Sequence, residues 1–162
     1  MQTIKEFKVG FGYDIHRLKK GTNITLGGVN FSSKKSIVAH SDGDIVLHAL
    51  SNAILQCLGL EDIGFFFDDK KEETKNISSK EILSLCLSKL KEHGFFINNV
   101  GITIITKEPR ITPLREQLLN SLKKLLNINI SNISIHSGTK ESLGDVGKGK
   151  AIECYAIVSI IK

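Results

Sequence analysis

Three runs of apolar residues at helical spacing, separated by extended apolar segments, most constrain the fold of this chain. The first run begins at Ile45, directly after a Ser-Asp-Gly-Asp capping sequence, and ends at Gly59. The second follows a pair of serines and closes at His93. The third begins around Pro113, which stands at the favoured first helical position. Together these runs predict three helices.

Six segments of strand-like composition surround the helices. They are residues 5–14, 23–26, 29–32, 100–105, 130–136 and 151–161. The resulting order of β, a short ββ pair, α, α, β, α, β, β predicts an α+β fold, a two-layer domain in which helices pack on one face of a mixed β-sheet. A length of 162 residues fits a single domain that spans residues 1–162.

Composition narrows the class of protein further. We expect neither a signal peptide nor a membrane span, because the chain has no uninterrupted apolar run of about 18 residues. Cys57, Cys86 and Cys154 lie far apart in apolar runs, which indicates free thiols rather than disulfides or zinc ligands. The net charge of +5 comes from scattered lysines, so it indicates a phosphorylated small substrate rather than nucleic acid.

Asp14 and His16 form the first candidate metal-binding pair. They are two residues apart, so in an extended segment both side chains point to the same side. His48, inside the first predicted helix, is a candidate third ligand. Three such ligands leave one tetrahedral position of zinc open, as in catalytic sites. The pattern alone is weak, since a surface aspartate beside a half-buried histidine, with His48 as a core residue, would give the same sequence.

A polar run at residues 40–44 stands four residues ahead of His48. It can serve as a helix cap, but a cap does not need His40. Residues 61–76 form a segment rich in Asp, Gly and Phe whose length predicts a functional or mobile loop.

The segment from Gly138 to Gly149 has the composition of a phosphate-binding loop. Its glycines allow close approach of the backbone to phosphate, Thr139 offers a hydroxyl, and Glu141 could hold a hard cation such as Mg²⁺. A flexible turn between two strands is the alternative. Residues 106–112, with Pro109 inside, could likewise be only a rigid turn.

Taken together, five segments resemble the 2-C-methyl-D-erythritol 2,4-cyclodiphosphate synthase family, in the order that the family has. They are GYDIHRL (12–18), AHSDGDIVLHAL (39–50), EDIGFFFDD (61–69), ITKEPRI (105–111) and GTKESLGDVGKG (138–149). The resemblance spans nearly the whole chain, and the His-Ser-Asp-Gly-Asp run before the third metal ligand is its most specific part.

The resemblance implies a reaction on 4-diphosphocytidyl-2-C-methyl-D-erythritol 2-phosphate. The 2-phosphate of this substrate attacks its own β-phosphorus and expels CMP, with no covalent enzyme intermediate. The resemblance places Zn²⁺ or a similar ion on Asp14, His16 and His48, and Mg²⁺ or Mn²⁺ on Glu141 with the substrate phosphates. Both cations would act as Lewis acids that orient an in-line attack.

The resemblance also assigns roles to residues outside the metal sites. His40 and Thr139 would stabilise the transition state. The implied substrate-binding residues are Ser41 for the methylerythritol phosphate, Asp62, Ile63 and Gly64 for the ribose, Phe67 and Asp69 for the methylerythritol, Thr106, Pro109, Arg110, Ile111 and Thr112 for the cytosine, and Gly138 and Lys140.

Members of the family are homotrimers with active sites between subunits, and their fold resembles that of the trimeric chorismate mutases of bacilli. The chain departs from the family pattern at Asp68 and Lys71, which puts the contacts of that loop in doubt. Asp145, Lys148 and Tyr155 replace the Phe, Arg and Glu that often surround a cavity on the trimer axis, so we do not expect an isoprenoid diphosphate there. The resemblance fits a bacterial cytoplasm or a plastid-type organelle after loss of a transit peptide.

Two other functions would also explain these candidate residues. A zinc phosphohydrolase would use the open metal position to activate water. A catalytically inactive trimeric module would only bind nucleotides or isoprenoids. The products of the reaction distinguish the phosphohydrolase from the synthase. Bound zinc together with turnover distinguishes the synthase from the inactive binding module.

Overall fold

A mixed sheet of five strands forms one layer of the protein. The structure, a computed structural model, describes residues 6–39, 41–67 and 77–162. In chain order, the elements are β1 (Phe7–Lys20), β2 (Asn23–Leu26), β3 (Val29–Ser32), β4 (Lys35–Val38), α1 (Ile45–Leu58), α2 (Ile63–Phe66), α3 (Ser79–Glu92), β5 (Phe96–Ile105), α4 (Arg115–Leu126), β6 (Ile133–Gly138), α5 (Gly144–Gly147) and β7 (Ala151–Ile161). The strand order is β4-β1-β7-β5-β6, while β2 and β3 form a separate hairpin. The predicted α+β class with a mixed sheet is confirmed.

The last strand, β7, lies at the centre of the sheet. It pairs antiparallel with β1 from Phe7 opposite Ile161 to Arg17 opposite Ala151, and antiparallel with β5 on its other side. The pair of β5 and β6 is parallel, which makes the sheet mixed. This register fixes which side chains of different strands are neighbours.

The helical layer covers one face of the sheet. Helix α1 lies against β1 and β7, and α3 packs on α1. Alternate side chains of β7 point into this layer and are fully buried, namely Ile152, Cys154, Ala156, Val158 and Ile160. Burial of this apolar surface supplies the main driving force for the two-layer arrangement. The side chains between them, such as Ile157, face outward.

The ends of the helices follow the capping residues in the sequence. Asp44 caps α1 through its side chain, and Gly59 ends the helix in the left-handed conformation with φ of 68°. Ser78 and Glu81 form a capping box at the start of α3. None of the helices in the described ranges is both long and apolar enough to span a membrane.

Strand β1 is longer than predicted. The alternation in residues 5–14 predicted a strand that ends near Asp14, but β1 continues to Lys20 because its second half pairs with both β7 and β4. Strand β4 was not predicted. Asp14 and His16 therefore lie inside β1, and the prediction that places the end of the strand at residue 14 is wrong.

Other boundaries also differ. Strand β5 begins at Phe96, four residues before the segment predicted over 100–105. The strand predicted over residues 130–136 begins only at Ile133, because Ile130–Asn132 form a turn of 3-10 helix capped by the side chain of Asn129. A similar turn at Thr112–Leu114 precedes α4. Part of the predicted loop 61–76 is the short helix α2, and residues 68–76 lie outside the described ranges.

Candidate metal centre

Asp14 and His16 lie on the face of β1 that meets the helical layer. In register, Asp14 is opposite Cys154 of β7 and His16 is opposite Ile152, and both β7 side chains are fully buried. Asp14 and His16 are themselves half-buried. The outward side chain between them, Ile15, is exposed. The strand therefore presents both polar side chains towards α1.

Two glycines allow α1 to approach β1 closely. A Cβ atom at Gly10 would overlap the carbonyl oxygen of Ala53, and one at Gly12 would overlap that of Ala49. Successive residues along β1 thus contact α1 progressively nearer to its N-terminus. The next inward side chain after Gly12 is Asp14, and the helical residue that it meets is His48.

The side chains of Asp14, His16 and His48 converge. Each offers one potential ligand atom, and these atoms lie within 4.8 Å of one another. Asp14 Oδ2 lies 3.0 Å from His48 Nδ1, close to the spacing of about 3.3 Å between neighbouring ligands of a tetrahedral zinc ion. The imidazole rings of the two histidines meet edge-on with centroids 5.4 Å apart. One carboxylate and two imidazoles form a donor set that fits a divalent ion.

The hydrogen bonds of His16 identify its free nitrogen. Its Nδ1 lies 2.7 Å from the carbonyl oxygen of Ile15, which can only accept. Nδ1 of His16 therefore carries the hydrogen, and Nε2 is left with the lone pair that a metal requires.

A second group of predicted residues lines one cavity of about 350 Å³. The lining residues that were implied to bind substrate are Thr106, Pro109, Arg110, Ile111, Thr112 and Gly138, and Thr139, implied to stabilise the transition state, lines the same cavity. They come from the segment after β5 and the end of β6, which are neighbours because these strands pair in parallel. Thr106 is buried and donates a hydrogen bond from its hydroxyl to the carbonyl of Glu108 at 2.7 Å.

Thr139 and Glu141 lie together at the exposed turn after β6. The Thr139 hydroxyl donates to Glu141 Oε1 at 2.7 Å, and Glu141 has a φ of 48°, which is uncommon for a residue with a side chain. Lys140 points elsewhere, to Glu153 of β7 at 3.1 Å. The hydrogen bond to Glu153 raises the pKa of Lys140. The ammonium group of Lys140 is thus committed to a carboxylate.

The metal group of Asp14, His16 and His48 and the strand end that leads to the turn of Glu141 are well separated within one chain. Asp14 is opposite Cys154, Cys154 is opposite Ile104, and Ile104 is opposite Ser137. Three steps between strands at about 4.8 Å each amount to about 14 Å. Among the described residues, the group within one chain consists of Asp14, His16 and His48, and the Glu141 carboxylate is not part of it.

The remaining predicted residues lie near α1 or outside the described ranges. Asp62, Ile63, Gly64 and Phe67 belong to α2 and its two flanking positions. The backbone N–H of Ile63 donates to Asn52, one turn beyond His48 on α1, at 3.0 Å. Ser41 accepts a hydrogen bond from the N–H of Gly43 at 3.1 Å. His40 and Asp69, and the departures at Asp68 and Lys71, are not among the described residues.

Comparison with known proteins identifies the family. A model of the YgbB family matches residues 7–161. The chain belongs to the YgbB family. The 2-C-methyl-D-erythritol 2,4-cyclodiphosphate synthase of Leptospira borgpetersenii is 40% identical over 158 residues, which cover 96% of this chain and 98% of the relative.

Other YgbB relatives extend the comparison. The bifunctional enzyme IspD/IspF of Pelagibacter ubique is 44% identical over 155 residues, and the match covers 96% of this chain but 42% of the length of that relative. A solved structure of IspF from Plasmodium falciparum, a CDP complex, is 34% identical with a TM-score of 0.86 and covers 98% of both chains. The activity predicted from the sequence, that of a 2-C-methyl-D-erythritol 2,4-cyclodiphosphate synthase, is confirmed for this YgbB chain.

Two side chains at the metal group were not predicted. Ser79 contacts His48 Nε2 at 2.9 Å, and Asp42 contacts Ser79. In the sequence both residues looked like parts of helix caps. Only the packing of α3 on α1 brings Ser79 to His48, and no local pattern predicts that contact.

Proposed function

We propose that the synthase reaction takes place at a site whose metal ion is held by Asp14, His16 and His48. The substrate would be 4-diphosphocytidyl-2-C-methyl-D-erythritol 2-phosphate, and the products would be 2-C-methyl-D-erythritol 2,4-cyclodiphosphate and CMP. The observation that carries this proposal is the convergence of one carboxylate and two imidazoles on the inward face of β1.

Zinc is the ion that this donor set favours. Imidazole nitrogens with one carboxylate are a common catalytic zinc set, and three protein ligands leave a fourth position for substrate. A divalent ion held there supplies Lewis-acid neutralisation of a phosphate oxygen. The half-buried position of Asp14 and His16 and the buried position of His48 keep the ligands partly shielded from water.

Thr139 and Glu141 would serve the phosphates from the other side. In the reaction, an oxygen of the 2-phosphate forms a bond to the β-phosphorus, and the bond from that phosphorus to the CMP oxygen breaks with its electron pair. The nucleophile is already an anion, so no protein base is required. Glu141 would hold Mg²⁺ or Mn²⁺. The Thr139 hydroxyl, which donates to Glu141, fixes that carboxylate and lies at the same turn.

The cavity beside β6 would receive the cytosine. Its walls carry the polar backbone and the hydroxyls of the segment from Thr106 to Thr112, groups that can hydrogen-bond a base. The CDP bound to the Plasmodium relative supports a nucleotide site in this chain. Asp62, Ile63 and Gly64 would contact the ribose. The remaining implied roles are part of the same proposal. His40 would stabilise the transition state, and the other substrate-binding residues would be Ser41, Phe67, Asp69, Gly138 and Lys140.

A homotrimer would complete the site. Asp14 and the end of β6, which leads into the turn of Glu141, are about 14 Å apart in one chain. The diphosphate that the metal group and Glu141 must both contact is shorter than this gap. A neighbouring subunit could bring its own Glu141 turn to the Asp14 side. The outer face of β1, whose apolar side chains are 41–56% exposed at Phe7, Val9, Phe11, Tyr13 and Ile15, offers a surface for that association.

The metal assignment is tested by His48→Ala. We expect the purified variant to lose zinc, measured by elemental analysis, and nearly all synthase activity, because two ligands hold the ion poorly. His93→Ala is the control, since His93 is exposed and its ring hydrogen-bonds the carbonyl of Lys89 in its own helix. Undiminished zinc in the His48 variant would overturn the ligand assignment.

The second cation is tested by Glu141→Gln. We expect zinc content to stay unchanged while turnover falls by at least about tenfold, with partial recovery at high Mg²⁺ or Mn²⁺. Glu92→Gln, on an exposed position of α3, is the matched control. Phosphorus NMR of the products completes the experiment, because an acyclic phosphorylated product would indicate a phosphohydrolase instead.

A further inference from the structure

Ser79 lies behind His48, on the side away from Asp14. It is the first residue of α3, and none of its surface is exposed. Its hydroxyl oxygen lies 2.9 Å from His48 Nε2, while the other ring nitrogen, Nδ1, lies 3.0 Å from Asp14 Oδ2. The imidazole of His48 is therefore held at both nitrogens.

Asp42 determines which way the Ser79 hydroxyl points. The backbone N–H of Ser79 donates to Asp42 Oδ2 at 3.0 Å, and the Ser79 hydroxyl is hydrogen-bonded to Asp42 Oδ1. A carboxylate only accepts hydrogen bonds, so it takes the single hydrogen of the Ser79 hydroxyl. The Ser79 hydroxyl oxygen can therefore only accept a hydrogen bond from His48, through its lone pairs.

The direction of the Ser79 hydrogen bond determines which ring nitrogen of His48 carries a hydrogen. Because Ser79 can only accept from His48, Nε2 carries a hydrogen, so the neutral ring has its lone pair on Nδ1, towards Asp14. A lone pair of nitrogen and a carboxylate oxygen then face each other across 3.0 Å. Two acceptors at this distance repel each other unless a proton or a metal ion lies between them, and a metal ion bound by the neutral ring fills that place.

We propose that Ser79 and Asp42 are positioning residues that hold His48 in the tautomer that binds metal through Nδ1. This inference rests on the proposed metal site and extends it to two residues that touch neither metal nor substrate. Partners of this kind behind a metal-bound histidine fix its ring and typically change metal affinity by about 10–100-fold. The aspartate-serine-histidine chain would also tie α3 to the metal group.

Zinc affinity measured by competition with a chelator tests the proposal. We expect Ser79→Ala and Asp42→Asn each to weaken zinc binding by about tenfold or more. The double variant should bind about as weakly as the worse single variant, because both changes interrupt one chain of hydrogen bonds. Ser121→Ala is the control, since it removes a similar hydroxyl that donates to the carbonyl of Gly27 away from the metal group.

A second measurement separates positioning from a general loss of structure. In the zinc-loaded protein, nitrogen-15 NMR of the histidines should show a slowly exchanging hydrogen on His48 Nε2, and exchange should accelerate in Asp42→Asn with the thermal unfolding midpoint almost unchanged. Wild-type protein that fails to bind zinc would overturn the metal site itself. Wild-type zinc binding, with equal affinity and equal exchange in both variants, would overturn only the role of Ser79 and Asp42.

Discussion

Asp44 is a buried carboxylate that joins three parts of the chain. Its oxygens accept hydrogen bonds from the N–H groups of Gly27 at 2.8 Å, Gly28 at 2.6 Å and Leu47 at 3.1 Å. Burial raises the pKa of Asp44, although the backbone hydrogen bonds lower it. One side chain thus caps α1 and fixes the turn of the β2–β3 hairpin against it.

We expect Asp44→Ala to lower the free energy of unfolding by about 3 kcal/mol, because it removes a helix cap and leaves buried N–H groups without acceptors. Urea denaturation measures the change. Asp62→Ala removes the N-cap of the short, exposed helix α2 and should cost less than about 1 kcal/mol. Equal losses in the two variants would contradict the clamping role of Asp44.

At the scale of elements, the metal group depends on how closely α1 lies on β1. Asp14 and His16 come from the strand and His48 from the helix, so a change in the separation of these elements changes the distances between ligands. The glycines at 10 and 12 set that separation. Stability and metal affinity should therefore respond together to a side chain placed between the elements.

Gly12→Ala tests this coupling. The added methyl group would overlap the carbonyl oxygen of Ala49, so we expect a loss of about 1–3 kcal/mol in stability and weaker zinc binding. Gly101→Ala in β5 is the control, because its Cβ would be 3.6 Å from the nearest atom, Ser134 Oγ. Calorimetry and chelator competition give the two values, and a Gly12 variant with normal zinc affinity would contradict the coupling.

At this scale, some features of the fold and of the candidate site were predictable from the sequence and others were not. Capping residues such as Gly59 and Ser78 predicted helix ends well, because they act on neighbouring backbone groups. The same-side placement of Asp14 and His16 followed from strand geometry alone. Strand β4, however, exists through pairing with the end of β1, and Ser79 reaches His48 only through the packing of two helices. Such contacts between distant segments leave no periodic signal in the sequence.

At the scale of the whole molecule, the outer face of the sheet is the surface through which subunits would meet. Ile157 lies on this face of the central strand β7 and is 54% exposed. A charge placed there would be costly to bury in an interface. The candidate metal ligands come from one chain, whereas the proposed complete site requires two, so assembly and metal binding can be separated by experiment.

We expect the wild-type protein to be a trimer in light scattering, and Ile157→Glu to give a smaller species that retains zinc but loses turnover. Ser84→Glu, on the exposed side of α3, should leave assembly and turnover unchanged. An Ile157 variant that is dissociated yet fully active would show that one chain forms a complete site.

The buried thiols make the free energy of unfolding depend on pH in the alkaline range. Burial raises the pKa of Cys57 and of Cys86 to about 11 in the folded chain. Unfolded cysteines lose their protons near about pH 8.5, so the stability that the neutral thiols provide is present below that pH and is lost as the pH rises to about 11. We expect the unfolding free energy to fall across this window, and less steeply in Cys86→Ala, as measured by urea denaturation at each pH.

Strand β1 uses its two faces for two purposes, with Asp14 and His16 inward and Tyr13 and Ile15 outward. Inserting or deleting one residue between Gly12 and the ligands would turn every following side chain to the opposite face. Substitutions in this strand change one contact at a time, whereas a change in length would exchange the candidate metal ligands with the proposed assembly surface. Evolution can therefore vary the composition of β1 at many positions, but single-residue insertions and deletions there should be strongly selected against.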